Sequence, residues 1–128
     1  MSYYINRIVE MQFDTAVAKA REELKNEGFG VLTEIDVKAT LKKKLDVDFR
    51  NYIILGACNP PFAYQALQTE SNIGVMLPCN VVLQETEDGS TEISAINPLV
   101  AMASVNNPDL AEIAEQIRNK LAKVVESI

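Results

Sequence analysis

The spacing of apolar residues divides the chain into short strands and amphipathic helices. Apolar and polar residues alternate over residues 3–10, which predicts a half-buried strand, and the same period of two returns in Gly30–Asp36. Between these strands, apolar side chains recur at helical spacing from Phe13 to Leu24. We expect Asp14 to cap this helix and Gly28 to supply its left-handed stop.

A short helix is expected to follow the second strand. Its stripe runs from Val37 to Leu45, and Asp36 stands where a capping side chain is needed. Lys42-Lys43-Lys44 falls at the C-terminal end, where cations oppose the helix dipole favourably. A solvated lysine face is therefore favoured over a phosphate-binding patch.

Three of the five prolines follow an asparagine and mark helix starts. Proline costs nothing at the first helical position, where its missing N–H would be unbonded, and asparagine accepts from the N–H groups that remain. The first of these helices is expected to reach Leu67, and the last carries the longest apolar stripe of the chain. The pairs are Asn59-Pro60, Asn97-Pro98 and Asn107-Pro108.

The middle of the sheet is expected at Tyr52–Ala57. This segment is apolar on both faces, which is typical of a central strand covered on both sides. Val75–Glu85 and Thr91–Ile96 then form a hairpin around Asp88-Gly89, a tight-turn pair. The sequence therefore predicts one compact α+β domain over residues 1–128, with a mixed sheet covered by helices.

Composition narrows the class of protein. A chain of 128 residues has the size of one domain, and 48% hydrophobic residues suffice for a core. A net charge of −6 argues against a nucleic acid held by phosphate contacts and against an anionic membrane surface. No apolar run reaches the ~18 residues of a membrane span. Because Met1-Ser2-Tyr3-Tyr4 also lacks signal-peptide features, we expect a cytoplasmic protein whose cysteines are thiols.

Both cysteines lie in one stretch, and each is followed directly by asparagine. Cys58 comes between a buried strand and a helix N-terminus, where unpaired N–H groups lower a thiol pKa or bind an anion. The alternative is that Cys58 has no function, because a free cysteine often only fills space in the core. Cys79 is expected on the apolar face of its strand as a small core residue, unless a bulge at Pro78 turns it toward Cys58.

Other polar side chains are candidates for the same site. Asn59 is first a helix cap and then a ligand group, and Tyr64 lies one turn into the helix. Asn80 is expected on the opposite face from Cys79, as a solvated or ligand-binding amide. Glu34 and Asp36 are acids that would act if they faced a cleft. The candidate ligand-binding set is Cys58, Asn59, Pro60, Tyr64, Cys79, Asn80, Glu34 and Asp36.

A metal centre is only weakly indicated, and the sequence leaves any cofactor unknown. Two thiolates with Met76 or Met102 would suit a soft ion such as copper(I). A structural zinc site needs four nitrogen or sulfur ligands, whereas the chain has two cysteines and no histidine. The lack of histidine also removes the commonest general base.

Three blocks resemble the domain-of-unknown-function family 302 (DUF 302). They are Gly28–Asp36, Ile54–Pro60 and Leu77–Val81, and the likeness extends through the closing Asn107-Pro108 helix. The resemblance implies an α+β domain similar to the TATA-binding-protein fold, forming a homodimer. It implies no activity, and the fold by itself does not imply DNA binding.

The residues leave three functions open. The leading hypothesis is a cytoplasmic dimeric domain that binds a small anionic ligand at the Cys58-Asn59-Pro60 helix start. The second is a thiol redox enzyme or soft-metal protein that uses Cys58 and Cys79. The third is a structural or oligomerisation domain without chemistry. The sequence does not decide whether the protein is an enzyme.

Overall fold

A five-stranded sheet forms the centre of the structure, a computed structural model that describes residues 2–128. The strands lie in the order β1-β5-β4-β3-β2, and every neighbouring pair is antiparallel. The α+β class is confirmed, but the sheet is antiparallel throughout instead of mixed. Where two consecutive strands are also neighbours in the sheet, the segment that connects them starts and finishes at the same end of the sheet, whether or not it contains a helix. The strands are β1 Tyr4–Val9, β2 Gly30–Asp36, β3 Tyr52–Cys58, β4 Cys79–Glu85 and β5 Thr91–Ile96.

Five α-helices and two 3₁₀ helices connect and cover the strands. α1 and α5 pack against the sheet and against each other, while α3 and α4 pack on α5. Within residues 2–128, no helix combines the length and apolar content needed to cross a membrane. The α-helices are α1 Phe13–Asn26, α2 Val37–Leu45, α3 Pro60–Thr69, α4 Pro98–Ala101 and α5 Pro108–Ser127, and the 3₁₀ helices are Ser71–Met76 and Ala103–Val105.

The core lies on one face of the sheet. Leu55, Val81 and Ile93 point toward α1 and α5 and are fully buried. The expectation that β3 is covered on both faces is wrong: Ile54 and Val82, which pair across β3 and β4, are only half-buried. The second face lacks a tight cover because α2, the helix before β3, buries none of its side chains. We call this second face the open face.

The expected helix caps are confirmed at three starts and wrong at two, α1 and α3. The side chains of Asp36, Asn97 and Asn107 each accept a hydrogen bond from a backbone N–H of the first turn that follows. α1 instead begins after Gln12, which makes no side-chain cap. Asp14 lies inside the first turn, where its carboxylate favours the helix dipole without capping it.

The strand expected from Val75 begins four residues later, at Cys79. Ser71–Met76 forms a 3₁₀ helix, and Val75 is 88% exposed, so it does not share the core face of Cys79. Pro78 cannot donate to a strand ladder, which explains why pairing starts only after it. The β4–β5 hairpin turns at Asp88-Gly89 as expected, with a positive φ at Gly89.

Candidate functional site

A cavity of about 220 Å³ lies where β3 ends and β4 begins, against α3 and α5. It brings both cysteines and Asn59 to one place, an approach that the sequence left open. The remaining walls are apolar side chains from the start of β2, from α3 and from the segment after α4. The lining residues are Phe29, Leu32, Ala57, Cys58, Asn59, Ala63, Ala66, Leu77, Pro78, Cys79, Met102 and Ile117.

Small side chains account for the empty volume. Ala57 lies near the end of β3, and Ala63 and Ala66 lie one turn apart on α3. These short side chains leave space that longer ones would fill. A leucine in place of Ala66 would occupy much of the space.

The two cysteines contribute different surfaces to this cavity. Cys58 is half-buried, whereas Cys79 is 5% exposed and opposite Ala57 in the β3–β4 ladder. Burial first, and the neighbouring Cys58 second, raise the pKa of Cys79 to about 11. Cys79 is therefore a protonated core thiol at neutral pH, and its predicted place on the apolar face is confirmed.

Asn59 precedes α3, but the prediction that its side chain caps this helix is wrong. Its amide nitrogen donates instead to the carbonyl oxygen of Glu27, at 3.2 Å, and the helix start receives no side-chain bond. Pro61 removes the donor that the two other asparagine caps use. Asn97 and Asn107 accept from the N–H two residues on, at 3.2 and 3.1 Å, and at α3 that position is a proline without an N–H.

Pro61 and Pro60 together weaken the anion site expected at the start of α3. Of the first three helical residues, Pro60 and Pro61 have no N–H, and only Phe62 carries one. Ala63 already donates to the carbonyl of Asn59 at 2.9 Å. An anion at a helix N-terminus is held by several free N–H groups, so one remaining donor offers little.

A β-bulge shapes the rim of the cavity. The β2–β3 register shifts between Val31 and Thr33, which leaves Leu32 without a partner and 68% exposed. Bulges re-aim side chains and recur next to functional sites. Here the bulge places an exposed apolar side chain beside an apolar opening.

Gly56 allows two neighbouring chains to approach the end of β3 closely. A Cβ at this position would collide with the Oγ1 of Thr33 and lie 2.8 Å from the Cγ of Pro78. The Leu77–Pro78 peptide bond is cis, and both of its residues line the cavity. The missing side chain of Gly56 therefore lets Pro78 reach its place in the wall.

The other predicted site residues lie outside the cavity. Glu34 accepts from Arg21 at 2.6 Å on the outer strand, and Asp36 caps α2 by accepting from the N–H of Ala39. Tyr64 is 65% exposed. The remaining two, Pro60 and Asn80, are also exposed, and Asn80 points to the open face as alternation predicts.

Most of the apolar wall was missed by reading the sequence. Phe29 and Ile117 resemble ordinary core residues, and nothing local distinguishes them. The one available signal was the pair Ala63 and Ala66, small residues three apart on the face of α3 that turns inward. Bulky residues are the usual choice at such positions.

The sulfur atoms near the cavity come from three residues. Met102 lines it together with Cys58 and Cys79, whereas Met76 does not. Within residues 2–128, no three or more Cys, Asp or Glu side chains gather into a group able to hold a metal ion. A metal bound here would thus depend on two thiols and one thioether.

Fold and cavity together define an antiparallel α+β domain with a thiol-bearing apolar pocket at one end of its sheet. The chain belongs to the family described as "Domain of unknown function DUF302", whose model matches residues 5–128. It is 31% identical to an uncharacterized conserved DUF302 protein from Bacillus stearothermophilus, whose crystal structure superposes with a TM-score of 0.93. That match covers 99% of this chain and 98% of the other. No curated protein matches.

Proposed function

We propose that this domain binds a small molecule in the cavity between Cys58, Asn59 and Cys79. The observation that carries the proposal is the cavity itself, about 220 Å³ of space lined by Cys58, Asn59 and Cys79. An apolar pocket with a few convergent polar groups is the usual form of a ligand site. The exposed Leu32 at its rim adds a surface that a ligand would cover.

The walls, more than the helix dipole, would hold such a ligand. The double proline leaves α3 with a single N–H among its first three residues, so the anionic ligand expected from the sequence has less support. Apolar contact with the alanines, Phe29 and Met102 would supply most of the binding free energy.

Isothermal titration of a small-metabolite panel tests the proposal. At least one member should bind the wild-type protein, and Ala66→Leu should weaken that binding at least tenfold by filling the cavity. Ala39→Leu, at an exposed alanine of α2, is the matched control and should change the affinity less than twofold. Absence of any binder, or equal binding by the filled variant, would contradict the proposal.

A soft-metal site is the second candidate function, because Cys58, Cys79 and Met102 line the same cavity. Two thiolates and a thioether are ligands that copper(I) prefers. Competition with a copper(I) chelator should then show one ion per chain. That ion should be lost in Cys58→Ala and in Cys79→Ala, and held more weakly by Met102→Leu. Equal copper retention by Cys79→Ala would eliminate this candidate.

We also propose that the domain acts as a cytoplasmic homodimer that pairs through the open face. Both cysteines are free thiols, which suits a reducing compartment. Each copy has a net charge of −6, so two copies repel each other least when a weakly charged surface forms the contact between them. On the open face, Tyr52, Ile54 and Val82 lie beside Glu92, whose carboxylate accepts from Asn6.

Light scattering during gel filtration tests the dimer. The wild-type protein should have twice the chain mass, and Val82→Lys should shift it to the monomer because it places a charge in the interface. Ala39→Lys, on exposed α2, should leave the mass unchanged. A wild-type monomer at micromolar concentration would refute the pairing.

A further inference from the structure

The chemistry of the cavity walls restricts the class of ligand, provided that the proposed ligand site is real. Among the described residues 2–128, those that line the cavity include no Lys, Arg, Asp or Glu. A buried ionic group without a partner is strongly unfavourable. A charged ligand would therefore lose its hydration and gain no opposite charge in return.

Besides the two thiols, Asn59 provides the polar side chain among the described residues that line the cavity. It is 8% exposed, and its amide nitrogen is used by the carbonyl oxygen of Glu27. This bond fixes the orientation of the amide, because the reverse would place two acceptors against each other. Its Oδ1 accepts nothing from α3, where Pro61 has replaced the expected donor. Among the hydrogen bonds of residues 2–128, none uses Asn59 Oδ1, and Asn59 is one of the residues that line the cavity.

The size of the cavity limits the apolar part of the ligand. An apolar cavity of about 150 Å³ is large enough to hold benzene. The cavity of about 220 Å³ found here has room for one ring with a short substituent, or for a branched aliphatic group of similar size.

We infer that the cavity binds a compact, neutral, mainly apolar molecule that carries one hydrogen-bond donor, and that Asn59 Oδ1 accepts from it. The donor is a hydroxyl or an uncharged N–H on a ring-sized body. The inference replaces the anion that the helix start alone would suggest. It assigns Asn59 the selection of the polar end, and it assigns the alanine-lined volume the selection of the apolar end.

Three probes of nearly equal size separate these possibilities: benzyl alcohol, toluene and benzoate at neutral pH. Their dissociation constants can be measured from amide chemical shifts of the labelled protein. Benzyl alcohol should bind about threefold to tenfold more tightly than toluene, since a net hydrogen bond has an effect of that order. Benzoate should bind at least tenfold more weakly than toluene.

Variants assign the preference to named atoms. Asn59→Ala should remove the preference for the alcohol over toluene while toluene still binds, and Asn80→Ala is the matched control that should preserve it. Ala66→Leu should abolish the binding of all three probes. If Asn59→Ala fails to fold, the comparison of benzyl alcohol with toluene on the wild-type protein still tests the role of Asn59 Oδ1.

The outcomes distinguish this inference from the proposed function. Tightest binding of benzoate would overturn the neutral ligand but leave a ligand site. Equal binding of alcohol and toluene by the wild-type protein would overturn the role of Asn59 Oδ1. Failure of all three probes to shift any cavity resonance would count against the ligand site itself.

Discussion

The two Cys-Asn blocks have the same sequence and opposite environments. Cys58-Asn59 ends β3 with a half-buried thiol and a buried amide, whereas Cys79-Asn80 begins β4 with a buried thiol and an exposed amide. Cys79 and Asn80 follow the period of the strand, which sends one side chain to the core and the next to the open face. At Cys58 the strand is ending, and Asn59 is drawn to the end of α1. Position relative to the sheet, and not the dipeptide, decides each role.

Each block has a glycine opposite it in the ladder, and these glycines should differ most. Gly56 pairs with Asn80 and is crowded by Thr33 and Pro78, whereas Gly30 pairs with Cys58 and has no atom near a hypothetical Cβ. Gly56→Ala should lower the free energy of unfolding by about 3 kcal/mol, the cost of an overpacked site. Gly30→Ala should change it by less than about 0.5 kcal/mol.

Urea unfolding of the two variants measures this difference. Equal stabilities would show that Pro78 and Thr33 can move away from β3, and the cavity wall would then be less rigid than its geometry implies.

The two thiols should differ in their effect on stability at alkaline pH. Burial raises the pKa of Cys79 from 9.0 to about 11, so the folded state keeps a proton that the unfolded state releases. This contribution is fully present below pH 9 and is lost as the pH rises toward 11, by roughly 2–3 kcal/mol. Cys79→Ala should lack that loss.

The pH dependence is read from urea unfolding between pH 8 and about 11. Cys58→Ala is the control and should keep most of the alkaline decline. Parallel curves for wild-type protein and Cys79→Ala would mean that Cys79 is less buried than the structure indicates.

Substitution of the two asparagines should change the free energy of unfolding by amounts that differ less than for the two glycines. Asn59→Ala removes the donor to the Glu27 carbonyl and should cost about 1–2 kcal/mol, the usual penalty for losing a partly buried hydrogen bond. Asn80→Ala, on the open face, should stay within about 0.5 kcal/mol. Thermal unfolding of both variants gives the comparison, and a larger loss at Asn80 would reverse the assignment.

Local signals predicted the strands and helices well but did not predict how they meet. The period of two located β1 and β2, the Asp88-Gly89 turn located β5, and Asn-Pro located the starts of α3, α4 and α5. These features depend on neighbours in the chain. The start of β4 depends on Pro78, and the uncovered open face depends on the side of the sheet that α2 occupies. The spacing of hydrophobic residues predicts neither feature.

Three residues of the predicted ligand-binding set line the cavity, whereas the other wall residues were not in that set. Cys58, Asn59 and Cys79 lie together because Cys58 ends β3 and Cys79 begins β4, and these two strands pair in the sheet. Glu34 was expected nearby but does not line the cavity and instead pairs with Arg21 on α1. The missing N–H of Pro61, which removes one of the donors that Asn59 could have used at the start of α3, is evident from the sequence alone.

Alkylation of the native protein by iodoacetamide, followed by mass spectrometry of each cysteine peptide, tests the central claim that Cys58 opens to a solvent-accessible cavity. Cys58 should react at least about a hundredfold faster than Cys79, because burial and a raised pKa both keep Cys79 from forming a thiolate. Modification of Cys79 should appear only on unfolding. Equal protection of both cysteines would show a closed cavity and contradict the account.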